Sequence, residues 1–373
     1  EINCIMMRRV SIGLLLFCIC LLFNSCGDKT STRVDFHMTK VDYSGCVKRH
    51  WRELPDSLLG QKEYILLDTL NSDCDFGQMS KVLIKNNRIY ILDSHLKKIV
   101  VYNAKGKGIG QVGRRGQGPD EYLDIADFDV TSDGSVYFID GRLDKLFCFN
   151  DQLEFCKAYS LPFEADIISV LDEGFLFGLS SWNKGFGENN KIMRTDMELN
   201  VLNTCLEYDE NTDPSFWISS YSFVCTPDFI SYNQPIDNCI YLFDYKGNIQ
   251  ECIDFDFASE NVPNEVKKNV EKYWDSFGDY CMLKNYTVVT KRVIAGSFLK
   301  NRKTVPFIFN RMENVCYSGD ARENYDNSGT AGYSGSKWIT YFEPDGDIRE
   351  EIPDSVAAYL DNGGFALVLQ SLY

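Results

Sequence analysis

Five segments of the chain repeat one short pattern, and this repeat limits the possible folds more than any other feature. Lys98–Gly106 (KIVVYNAKG) recurs as Lys145–Leu153 (KLFCFNDQL), Lys191–Leu199 (KIMRTDMEL), Cys239–Gly247 (CIYLFDYKG) and Val305–Glu313 (VPFIFNRME). The starts lie 47, 46, 48 and 66 residues apart. Each copy is an apolar run that ends in Asn or Asp and turn-forming residues, which reads as a strand entering a hairpin. A period near 45 with four strands per unit is the signature of propeller blades. The long fourth step holds an insertion. Within it, Asn264–Phe277 carries Val266, Val270 and Trp274 at helical spacing, which predicts a short helix.

One blade is traceable strand by strand. Lys81–Ile84, Arg88–Leu92, Ile99–Tyr102 and Lys107–Val112 read as strands a to d, with a tight turn at Asn86-Asn87. The next blade repeats the plan at 125–130, 135–139 and 146–149. One four-stranded sheet cannot bury both faces, whereas blades stacked radially bury them against neighbours and leave only short edges. The last region must supply a sixth blade from Trp338–Phe342 and Phe365–Leu369, with a helix near Asp354–Leu360 between them. Tyr64–Thr69 precedes the first full blade and is expected to join the last one, closing the ring. The expected fold is therefore all-β: a six-bladed β-propeller of four-stranded antiparallel blades with a short helical insertion, over residues 61–373. Seven blades is the alternative count. Length alone would suggest two or three domains, but repeat folds run longer as one unit. A chain that is 44% hydrophobic and 14% aromatic has ample material for such a core.

The N-terminus has its own signal. Glu1 precedes Met6 and Met7, so the true start is expected at one of these methionines. Arg8 and Arg9 form a basic region, and Val10–Phe23 is an apolar run of 14 residues, short for a spanning helix. It ends in Phe23-Asn24-Ser25-Cys26-Gly27, a small residue before a cysteine, as in a lipobox. The expected layout is a lipoprotein signal peptide at 1–25, lipidation on Cys26, and a polar tether over 26–60. An ordinary signal peptide with an incidental cysteine is the other reading. Ten cysteines follow Cys26, none in a C-x-x-C pair or with zinc spacing. They read as small buried hydrophobes. Cys148 and Cys156 flank a hairpin turn, where an oxidising compartment could link them.

The stretch Gly113–Tyr122 (GRRGQGPDEY), followed by Ile125–Asp129 (IADFD), resembles the six-bladed β-propeller lipoproteins common in Bacteroides and relatives, distant kin of NHL-repeat propellers. That family carries a G-R-R-G-x-G-P-G-E-Y type stretch before an inner strand. It tends to close with Asp-Asn-Pro and an apolar strand. Here Asp120 replaces the second glycine of the pattern, and Asp361-Asn362-Gly363-Gly364-Phe365 holds the closing position without the proline. The resemblance covers roughly residues 60–373. It implies architecture and a cell-envelope location, lipid-anchored on the periplasmic side or at the surface, and no reaction.

The formal charge of −16 becomes −17 once Glu1, Arg8 and Arg9 leave with residues 1–25. So acidic a surface repels phosphate backbones, which excludes nucleic acid as a partner. In a propeller the d–a and b–c loops share one face, where ligands usually bind. The loops 93–97, 113–122 and 140–144 lie there. The candidate ligand-binding residues are Arg114, Arg115, Gln117, Glu121, His95 and Arg142, with the arginines suited to a carboxylate, sulfate or uronic acid. The same loop has a structural reading, in which the glycines permit an unusual path and Glu121 and Arg115 tie neighbouring blades together. It opens a strand rather than a helix, so it is not a phosphate-binding loop. Trp182, Phe186, Trp217 and Tyr221 are loop aromatics able to stack on sugars or to pack between blades.

Catalytic sets are thin. The three histidines are His37, His50 and His95, and the first two fall in the expected tether. The pairs Asp127/Asp129 and Asp345/Asp347 could act as acid and base or hold calcium, but such residues more often form turns. No metal site and no cofactor is expected. The leading expectation is a binding module for a glycan, peptide or envelope protein. The alternative is a polysaccharide lyase or glycoside hydrolase using acidic residues and Arg at the channel mouth.

Overall fold

The computed structural model describes residues 36–69, 72–213, 222–233, 236–284, 286–320, 322–323, 330–344 and 352–373. The expected signal peptide, Cys26 and the first part of the tether lie outside the described residues, as do Trp217, Tyr221, Asp345 and Asp347. Six antiparallel sheets form the body. Blade 1 comprises Lys81–Lys85, Arg88–Asp93, Lys98–Asn103 and Gly108–Gln111; blade 2 comprises Asp127–Val130, Val136–Asp140, Lys145–Phe149 and Phe155–Ser160. Blades 3, 4, 5 and 6 follow in chain order, and their third strands are Asn190–Thr195, Cys239–Phe243, Lys303–Asn310 and Phe365–Leu372. The five repeat copies thus occupy the third strand of blades 1 to 5.

The physical reason for the repeat is a turn. Its sixth residue is Asn103, Asn150, Asp196, Asp244 or Asn310, and in each copy the side-chain oxygen accepts backbone N–H bonds from the hairpin that follows. Asn103 takes those of Lys105 and Lys107, Asn150 those of Gln152 and Glu154, and Asp196 those of Glu198 and Asn200. Asp244 does the same for Lys246 and Asn248, and Asn310 for Met312 and Glu313. Asx side chains satisfy a tight turn in this way, so a short polar residue recurs at the end of each strand run.

The strands are apolar in unbroken runs because both faces of each blade are covered. In blade 1, Ile89 and Ile91 pack toward blade 6, and the alternating Tyr90 and Leu92 pack toward blade 2. Phe138 faces blade 1, and its neighbours Tyr137 and Ile139 face blade 3. Six such clusters, one per blade interface, take the place of a single central core. Fully burying each large side chain contributes roughly 1.5–3 kcal/mol.

Ring closure follows the expected plan. Strand β3 (Leu59–Leu67) pairs with Phe365–Leu372 as the outermost strand of blade 6. The described part of the expected tether is built into the ring. Strands β1 (His37–Asp42) and β2 (Val47–His50) lie parallel to the outer strands of blades 4 and 5, β1 on Ile249–Asp256 and β2 on Val315–Ser318. Most of their side chains are exposed, so they read as polar tether in sequence, and the backbone hydrogen bonds of an open edge hold them. His50 accepts the N–H of Arg52 and sits 3.4 Å from Asp320. In the insertion, helices α1 (Asn264–Lys267) and α2 (Trp274–Phe277) replace one continuous helix. Val266 and Val270 are buried as the spacing predicts, but Trp274 is exposed. Helix α3 (Asp354–Asp361) lies between the last two strands of blade 6, within two residues of its expected bounds.

Candidate functional site

The b–c loops of blades 1 and 2 have one design. Asp93–Lys97 and Asp140–Asp144 each open with a fully buried aspartate and close with a residue at positive φ, Lys97 or Asp144. One carboxylate oxygen of Asp93 accepts the N–H groups of His95 and Leu96, and the other those of Gly77 and Gln78. Asp140 does the same for Arg142 and Leu143, and for Leu123 and Asp124. Each aspartate therefore joins its own b–c loop to the d–a linker before it. His95 and Arg142 occupy the same place in the two loops. Both side chains are exposed.

The glycine-rich loop is folded by its own residues. Gly113 has φ +61, and a Cβ there would come within 2.6 Å of the Phe149 ring. Glu121 accepts the N–H of Gly118 at 2.7 Å and lies where a Cβ on Gly116 would stand. Tyr122 is buried edge-on against Phe138, with ring centres 5.2 Å apart. Glu121 thus ties the loop to itself rather than to a neighbouring blade. Arg114, Arg115 and Gln117 are exposed.

Between blades 2 and 3, the same face opens into a cleft of about 310 Å³. Ile139, Leu161 and Phe163 form its apolar part. Its polar lining includes Asp124, Asp140, Asp144, Glu164, Asp166 and Ser180, and among the described residues Arg142 is the one cation there and Trp182 the one exposed aromatic. Asp166 accepts the hydroxyl of Ser180 at 2.6 Å. Lys97 reaches from blade 1 to Asp124 at 2.7 Å, which links the two b–c loops through the wall of the cleft. Arg142 and Trp182 of the sequence candidates meet here. His95, Arg114, Arg115, Gln117 and Glu121 do not line the cleft, and Phe186 projects from the Trp182 loop. The acidic lining escaped sequence reasoning because it comes from three separate stretches of the chain, at 124, 140–144 and 164–166. The shared D-x-[HR]-L pattern of Asp93–Leu96 and Asp140–Leu143 is the signal that could have found part of it.

Asp127 and Asp129 have another role. They lie on the inner strand of blade 2, each paired to a lysine of the inner strand of blade 1: Lys81 to Asp127 and Lys85 to Asp129, both at 2.8 Å. Asp127 also accepts the N–H of Ile168 and the hydroxyl of Ser222, and Asp129 the N–H of Val170. Burial pushes the Asp127 carboxyl up from its ordinary value, against the pull of Lys81. Burial acts on Asp129 as well, but Lys85 and Lys81 outweigh it and hold that carboxyl down. Both are interior ties between blades. Among the described residues, no three His, Cys, Asp or Glu side chains are grouped to hold a metal ion.

No curated protein matches the chain. Among solved structures, a Bacteroides fragilis NCTC 9343 protein described as a candidate exported protein has a TM-score of 0.70 at 17% identity, over 90% of this chain and 100% of that one. A member of the duf4221 family from Bacteroides vulgatus ATCC 8482 has a TM-score of 0.54 at 8% identity, over 86% of this chain and 99% of that one. At these identities the likeness is one of fold. The sequence itself matches the DUF5128 family, described as 6-bladed beta-propeller, over residues 49–340, which takes in blades 1 to 5 and the sixth without its C-terminal strand. By this match and by its six observed blades, the chain belongs to the DUF5128 family of six-bladed β-propellers.

Proposed function

We propose that this protein is an extracytoplasmic binding module that holds a neutral, hydroxyl-rich ligand of the glycan type in the cleft between blades 2 and 3. One observation carries the reading: Trp182, Arg142 and the carboxylates of Asp144, Glu164 and Asp166 border a single volume. An indole face takes the C–H surface of a sugar ring, carboxylates accept from its hydroxyls, and a guanidinium donates to its oxygens. The excess of carboxylates in the lining disfavours uronic acids there. Arg114, Arg115, Gln117 and His95, exposed on the same loop face, extend the surface for a longer ligand, and Glu121 shapes their loop. The apolar run before Cys26 supports export and an anchor on that cysteine. The exported description of the B. fragilis protein supports the same compartment.

The test is an oligosaccharide array probed with the wild type, Trp182→Ala and Arg142→Ala. The expected result is binding to neutral glycans that weakens at least roughly tenfold in each variant, the scale of one stacking or charge-assisted contact. Binding confined to uronic acids, or binding indifferent to both substitutions, would refute this site. So would capture of a protein partner that the two substitutions leave unchanged.

A further inference from the structure

Six of the ten described cysteines stand in three contacting pairs: Cys46 with Cys316, Cys239 with Cys252, and Cys148 with Cys156. Each pair has one member on the fourth strand of its blade: Cys316, Cys252 and Cys156. Two of them are out of register. Cys239 faces Asp254 while Cys252 faces Tyr241, and Cys316 faces Lys48, two residues beyond Cys46. Neighbours offset by two residues are roughly 7–8 Å apart. An unstrained disulfide needs about 4.4–6.8 Å between Cα atoms.

Cys148 and Cys156 differ. The pairing of Lys145–Phe149 with Phe155–Ser160 runs Cys148 to Lys157 and then Phe149 to Phe155, so Cys156 is the extra residue of a β-bulge. In a bulge two residues of one strand oppose one residue of the other. Cys156 therefore shares with Lys157 the place across from Cys148. Directly facing residues lie about 4.5–5.5 Å apart, within reach of a disulfide.

We propose that Cys148 and Cys156 form a disulfide across this bulge wherever a disulfide oxidant reaches the chain, while the two offset pairs remain dithiols. The oxidant in the cell rests on the extracytoplasmic reading above; the geometry does not. Cys156 is exposed and Cys148 is buried. Cys156 reacts first: its thiol gives up a proton to water, and the thiolate attacks the disulfide of a thiol oxidoreductase or of glutathione. One thiolate is expelled and a mixed disulfide remains. Cys148 then loses its proton and attacks the Cys156 sulfur, expelling the second thiolate. One S–S bond forms, two thiols are oxidised, and two electrons and two protons leave the protein. The oxidant's disulfide is reduced to two thiols.

The test refolds the reduced full chain in oxidised and reduced glutathione, alkylates it under denaturing conditions, and maps the peptides by mass spectrometry. A peptide pair joining Cys148 to Cys156, lighter by two hydrogens, is expected, with the cysteines of the offset pairs alkylated. Cys156→Ser, an exposed position, should abolish the link and leave Cys148 alkylated; Cys239→Ser should leave the link intact. Alkylation of both Cys148 and Cys156 in the oxidised, folded protein overturns the proposal, as does a link from either to another cysteine. A second arm alkylates the protein at lysis of the producing cells. A link that forms in glutathione but is missing there counts against the extracytoplasmic location and leaves the bulge geometry standing.

Discussion

Replacing Lys81 by Met would remove the cation from the most enclosed ion pair among the described residues. The Lys81 and Asp127 side chains are 4% and 3% exposed, and Lys81 donates to both Asp127 and the Phe128 carbonyl. Met fills the space of the Lys stem, so the change isolates the charge. Breaking a buried pair by removing one partner costs about 3–5 kcal/mol, because the other charge is left without compensation. Unfolding entropy is about 2.1 cal/mol/K per residue, or roughly 0.7 kcal/mol/K for a body of this size. A loss of about 4 kcal/mol therefore lowers Tm by about 6 °C.

The penalty must also depend on pH. Burial already raises the Asp127 carboxyl with Lys81 in place. Without Lys81 the folded protein keeps a proton there that the unfolded chain has released above about pH 4. The folded state then binds more protons, so stability falls as pH rises, by up to roughly 1.4 kcal/mol per pH unit until the folded carboxyl ionises. Urea and thermal unfolding of Lys81→Met should show a larger deficit against wild type at pH 8 than at pH 5. Adding Asp127→Asn, which still accepts the Ile168 N–H, should recover most of the loss. A deficit under about 1 kcal/mol, or one equal at the two pH values, would refute the view of this pair as a desolvated tie between blades.

Asp140→Ala strands four backbone N–H groups beside the cleft, so it should cost at least about 3 kcal/mol in urea unfolding and weaken any ligand that needs Arg142. Gly113→Ala puts a methyl group at positive φ and against Phe149, and calorimetry should show a loss of about 2–4 kcal/mol. Removing residues 1–56 should leave a folded ring with two bare outer edges and a greater tendency to aggregate, whereas removing 1–68 also deletes the closing strand and should abolish cooperative unfolding. Circular dichroism and light scattering separate these two outcomes.

The blades are legible in the sequence because each copy carries the same local device, an apolar run and an Asx-capped turn. The second half of the closing strand, read as Tyr64–Thr69, is legible because it is apolar and precedes the first complete blade. Strands β1 and β2 are not legible. Their side chains mostly face solvent, they show no alternation, and edge backbone bonds hold them, which leave no mark on composition. The helical spacing of Val266, Val270 and Trp274 overreaches at Trp274, where the chain has already turned into α2. Arg142 and Trp182 were marked by loop position alone. Their acidic neighbours could not be, because the cleft joins loops that are distant in sequence. Asp127 and Asp129 look like candidate chemistry in sequence, and only the packing of two inner strands reveals Lys81 and Lys85 beside them.

The three N-terminal strands also set the order in which the molecule can be completed. The partners of β1, β2 and β3 begin at Ile249, Val315 and Phe365, so the earliest part of the chain to be made is the last to find its place. At about 5–20 residues per second, some 300 residues of synthesis separate β3 from its partner by roughly 15–60 s. Through that interval β3 has no partner strand. Blades 1 to 3 take no strand from it. A chain so arranged leaves β3 without its partner until the final strand is made, and the ring closes only when that strand arrives.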